Sequence, residues 1–128
     1  MKVAITSNGN SLDSEVSQVF ARCPYYIMAD IEDGEIKAVS SVENPAINER
    51  GSGNLAAQFI VNQRVDTLIS GAVGPNAFNI FKQVGIKIYK LQSGSVQENL
   101  NLFEKNKLNE IKTSVPAGSM AGRGLGRR

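Results

Sequence analysis

Asp33-Gly34 stands between two β-prone runs, "YYIMADI" and "EIKAVSSV", and the pattern around it restricts the chain to one class of fold. An Asp-Gly pair there closes a two-residue hairpin, because both residues accept the positive φ of a type I′ turn. Beyond it, helical-period stretches alternate with short β-branched runs. Leu55, Ala56, Phe59, Ile60 and Val61 are followed by Thr67-Leu68-Ile69, and Ala77, Phe78, Phe81 and Val84 by Ile86-Lys87-Ile88-Tyr89. Strands joined through helices run parallel, whereas a hairpin reverses direction. The expected fold is therefore α/β: a mixed five-stranded sheet, hairpin plus parallel strands, flanked by helices.

Local signals set the boundaries. Val3-Ala4-Ile5-Thr6 is a first strand that ends in Ser7-Asn8-Gly9-Asn10. Leu12, Val16, Val19 and Phe20 have helical spacing, and with Asp13 or Ser14 as cap they predict a short helix. Gly74 and Pro75 open a later helix that Gly85 ends, and Ser95 with Glu98 forms a capping box for the last one, which runs to Lys105. Residues 1–105 are expected to be a single domain. Residues 106–128, ending "SMAGRGLGRR", have almost nothing to bury and are expected to be a flexible basic tail.

The 128 residues include no histidine and one cysteine, Cys23. That excludes Ser/His/Asp and Cys/His catalysis, and within one chain a Cys/His zinc site or a four-cysteine iron–sulfur site. Strand one carries no acid and Asp66 precedes strand four, so the clustered carboxylates of a two-metal nuclease are missing. Residues 1–105 carry a net charge of −2 and the tail +4, so the basic balance marks no nucleic-acid face on the domain. No apolar run nears the roughly 20 residues of a membrane span, and Met1 leads straight into strand sequence; a cytoplasmic protein is expected.

If strand one pairs antiparallel with strand two, the loops after strands one, three and four leave from one edge of the sheet, where open α/β sheets carry ligands. These loops hold Ser7, Asn8, Gly9 and Asn10; Arg50, Gly51, Gly53 and Asn54; and Gly71, Gly74 and Asn76. The latter two open helices, whose free N–H groups favour anions. The same glycines also serve simply as turns and caps. Neither loop matches a phosphate loop or a dinucleotide fingerprint. Arg22 and Arg50 are candidate anion contacts. Cys23, in "FARCPYY", reads as a small buried hydrophobe or as a thiolate ligand to a soft metal.

Over residues 1–105 the chain resembles the dinitrogenase iron–molybdenum cofactor biosynthesis family. The resemblance lies in "MKVAITSNGNSLDSEVSQVFARCPYYIMADIEDGEI", in "ENP" followed by "GSGNLAAQFI", and above all in "VDTLISGAVGPNAFNIFKQVGIKIY". It implies a ribonuclease H-like fold and a non-catalytic role, binding or carrying an iron–sulfur or iron–molybdenum cofactor. Family members that hold the cofactor use a histidine or similar soft donor just before the G-x-G; here Arg50 stands there, in "NERGSG". Metal ligation then falls to Cys23, or the cluster is held as an anion by amides and arginines. Two other roles fit the same residues: an adaptor that binds a partner such as a cluster-assembly protein, and a binder of a small anionic metabolite.

Overall fold

The computed structural model describes residues 1–48 and 52–113, with Ser52 described by its backbone alone. Five strands, β1 (Lys2–Ser7), β2 (Tyr25–Glu32), β3 (Glu35–Glu43), β4 (Thr67–Ser70) and β5 (Lys87–Lys90), form one sheet in the order β3-β2-β1-β4-β5. β2 is antiparallel to both β1 and β3, and β1, β4 and β5 are parallel. This is the mixed sheet that the hairpin and the strand–helix alternation require. Asp33 and Gly34 take φ of 53° and 78°, the positive pair of a tight hairpin turn.

Three helices, α1 (Ser52–Asn62), α2 (Pro75–Val84) and α3 (Val96–Glu104), complete the domain. Alternation along each strand sends side chains to two faces, and both are buried. Ala4, Met28, Leu68 and Ile88 pack against Ala56 and Ile60 of α1 and Ala77 and Phe81 of α2. Val3, Ile5, Ile27 and Ile69 pack on the other face against Val96 and Leu100 of α3. Gly85 ends α2 in the left-handed conformation (φ 81°), and the Ser95–Glu98 capping box is formed as its spacing predicts.

Two expectations are corrected. Residues 12–20 are not a helix; they form turns and isolated bridges to Ser7, Ser95 and Ala72. Their polar backbone groups have better partners elsewhere. Val16 N–H donates to the Gly94 carbonyl (3.0 Å) and Ser17 N–H to that of Thr6 (3.1 Å), while the Ser14 and Leu12 carbonyls accept from Val96 and Gln97 (both 2.9 Å). Four serines between residues 7 and 17 further favour such local bonding over helix. The second correction lies beyond α3, where packing continues: Leu108 is buried and Ile111 packs on the α1–α2 side of the core. Lys90 N–H donates to Asn109 and Ile111 N–H to Ile88 (2.8 and 2.7 Å), so residues 109–111 form a strap along the outer edge of β5. Residues 114–128, where most of the expected tail falls, lie outside the described residues.

Candidate functional site

The strand directions place the chain segments that follow β1, β3 and β4 at the same end of the sheet, together with the segment entering β2. There, a cavity of about 300 Å³ opens between the starts of α1 and α2. Gly53 lines it from α1, and Gly74, Pro75, Asn76 and Ala77 line it from α2. Val19, Phe20, Ala21 and Arg22, with Ala72, form the remaining wall. Residues 19–22 belong to the segment read from sequence as helix and strand entry, so only Arg22 stood out as a candidate contact; the serine-rich composition of residues 7–17 was the available signal that this region is loop.

The helix starts differ in what they leave open. At α3, Ser95 Oγ accepts from Glu98 N–H (3.1 Å), and carbonyls of residues 12 and 14 take the next two amides. At α2 the cap is Gly74, which has no side chain to accept a hydrogen bond, and Pro75 has no N–H to offer. The Asn76 and Ala77 amides at the cavity thus have no side-chain cap, at the end of the helix where its dipole is positive. With Arg22 also lining the cavity, this site suits an anion.

The glycines divide by what a side chain would meet. A Cβ on Gly71 would run into the backbone of Gln18, so this glycine permits the β4 exit to pass close to the 17–19 segment. A Cβ on Gly53 or on Gly74 would meet nothing within 4 Å among the described residues, and Gly74 has an ordinary φ of −70°. Neither internal packing nor backbone conformation demands glycine there. Both leave the cavity wall bare.

The other sequence candidates lie apart from this cavity. Ser7 is buried, with Oγ donating to the Gly9 carbonyl (2.7 Å), and Gly9 packs over Ser14. Asn8 lines a separate cavity with Glu15, Gln18 and Gly94. Asn10 and Asn54 are exposed and line neither cavity. Arg50 and Gly51 lie outside the described residues. The structure thus brings Gly53, Gly74 and Asn76 together with Arg22, and turns the first corner elsewhere.

Cys23 is fully buried among Phe20, Tyr26 and their neighbours, and its Sγ donates to the Phe20 carbonyl (3.3 Å), which also accepts from the Tyr26 hydroxyl (2.7 Å). Burial pushes the thiol from 9.0 up to about 11, against a partial offset from hydrogen bonding to Tyr26. The group is therefore a protonated thiol at neutral pH and sits in the core. Stability is unaffected by this group below pH 9. Between pH 9 and 11 the unfolded chain loses the proton while the folded chain keeps it, so stability falls, by about 2–3 kcal/mol in all. Urea titrations from pH 7 to 10.5 will show this loss in the parent and a flatter profile in Cys23→Ala.

A sequence profile for the family described as dinitrogenase iron-molybdenum cofactor matches residues 1–106. The chain belongs to this family. The uncharacterized protein MJ0580 of Methanocaldococcus jannaschii is 37% identical over 113 residues, 88% of this chain and 92% of that protein. Among solved structures, a Thermotoga protein given as a candidate NifB protein is 39% identical with a TM-score of 0.77, covering 91% of this chain and 98% of its own. The apo form of the orange protein from Desulfovibrio gigas is 26% identical with a TM-score of 0.79, covering 87% and 92% respectively.

The donor set of this chain is sparse for holding a metal directly. The chain has no histidine, and among the described residues no three His, Cys, Asp or Glu side chains come together. Direct ligation of a metal by protein thiolates or imidazoles does not fit a buried, protonated Cys23. Amides and a guanidinium around a cavity do fit a ligand that arrives as a complete anion. No described helix is long and apolar enough to cross a membrane.

Proposed function

We propose that this chain is a non-catalytic carrier for an iron–sulfur or iron–molybdenum type cofactor, or a precursor of one, held as an intact anion between the starts of α1 and α2. The observation that carries this reading is the open start of α2, whose Asn76 and Ala77 lie at the same cavity as Arg22 and Gly53. The family supports the class of cargo. A cytoplasmic location belongs to the same proposal, since a reducing compartment suits a lone free thiol.

Anaerobic reconstitution, followed by gel filtration and iron and molybdenum analysis, tests it. Retained metal is expected in the parent and in Cys23→Ser, with a loss in Arg22→Ala. Metal-free parent protein would reject the cargo, and a folded Cys23→Ser that loses iron would make the thiol a ligand. Gly53→Ala separates fold from function. Replacing a glycine in the first turn of α1 should leave the domain as stable or slightly more so, while the new methyl narrows the cavity and lowers bound metal.

A second reading is favoured by Val19, which lines the same cavity yet is 41% exposed. An apolar residue at this lip suits a partner protein, such as a cluster-assembly enzyme, docking over the opening. Partner capture by metal-free protein, lost in Val19→Asp, would support an adaptor.

A further inference from the structure

The other end of α2 borders a second cavity, of about 290 Å³, that the carrier reading does not use. Its inner surface comes from Phe78 on α2, Ile86 and Ile88 at β5, and Ile111 of the strap. Ile88 is buried and the other three are half-buried, so the cavity has an apolar floor. Lys82, Lys87 and Lys112 also line it, one from each wall, and Glu110 is the single acidic residue among the lining groups. None of these lysines makes an ion pair among the described residues, where Lys37 pairs with Glu35.

The C-terminus of a helix ordinarily favours a cation. Here that tendency is reduced, because two of the last four α2 carbonyls are already occupied: Phe81 accepts from Ile86 N–H (3.0 Å) and Lys82 from Gly85 N–H (3.3 Å). Three lysines against one glutamate give the lining a net positive charge. Lysine stems extend the apolar wall while their heads stay at its edge. We infer that this cavity binds a small apolar carboxylate, with the hydrocarbon on the isoleucines and Phe78 and the carboxylate among the three lysines. The volume is at the lower end for small-molecule sites, which limits the ligand to roughly the size of a bicyclic aromatic acid.

Three probes of one shape test this on the full chain: 2-naphthoate, neutral 2-naphthamide, and cationic 2-naphthylmethylamine, titrated at low salt and followed by NMR. Naphthoate should bind at least tenfold more tightly than either of the others, shifting signals of Ile86, Ile88 and Ile111. The preference should shrink as salt screens the rim. The variant Lys82→Gln/Lys87→Gln/Lys112→Gln alters exposed positions and should melt like the parent, yet bind all three probes alike. Equal binding of naphthamide by the parent would overturn the proposal, as would no saturable shift, or shifts confined to the cavity at Gly53 and Gly74. Metal content of the reconstituted protein should be the same in the triple variant, so this site and the carrier site fail or hold separately.

Discussion

Gly71→Ala will destabilise the domain by about 3 kcal/mol or more, the upper range for forcing an atom into a filled space. The added Cβ would lie 2.7 Å from the carbonyl carbon of Gln18 and 3.0 Å from its Cα, besides striking the carbonyl oxygen. These are backbone atoms, so no side-chain rotation relieves the clash. Gln18 cannot easily retreat either. Its carbonyl accepts from Ala72 N–H (3.2 Å), and its neighbour Ser17 is held from both sides, donating its N–H to the Thr6 carbonyl (3.1 Å) and accepting from buried Thr6 Oγ1 (2.7 Å). Urea denaturation with an unchanged slope and a much lower midpoint is the expected result. Gly74→Ala is the matched control, since its Cβ meets open space among the described residues, and it should cost only about 1 kcal/mol, the loss of a favourable helix cap. A small cost at Gly71 would mean that the 17–19 segment yields.

Phe81→Ala should cost about 3–5 kcal/mol, the usual loss when a buried aromatic becomes alanine, and lower the melting temperature by about 10–20 °C. Phe81 is fully buried at the centre of α2's inner face, with its ring edge-on to Phe20 at a centroid distance of 5.3 Å and an angle of 83°. Phe20 in turn lines the carrier cavity, and its carbonyl anchors both Tyr26 and Cys23. The deletion therefore removes core volume and slackens the wall opposite the helix starts. Differential scanning fluorimetry reads the first effect, and metal retention at a temperature where the variant is still folded reads the second. A cost below 1.5 kcal/mol would show that Phe20 collapses into the space.

Some features were readable because their cause is local. Asp33-Gly34, Gly85 and the Ser95–Glu98 pair each carry their conformation within three or four residues. Residues 12–20 were misread because an apolar period of about four also arises in a loop that drops Val16 and Phe20 into two different sides of the core. The strap at 109–111 gave no periodic signal at all, being too short, and it takes its order from the edge of β5. At the site, Gly53, Gly74 and Asn76 stood out as parts of helix starts. Their meeting with Arg22 and Val19, and the departure of Asn8 to another cavity, depend on how distant segments pack.

The amino-acid order alone established the class of sheet, the sense of its strands, and the absence of imidazole chemistry, since turn residues, apolar period and composition act over short range or none. Only the tertiary structure decided which glycines serve the backbone and which face open space, and that the one thiol is buried and protonated. Those outcomes turn on what lies within a few ångströms across the chain, and residues far apart in sequence supply it.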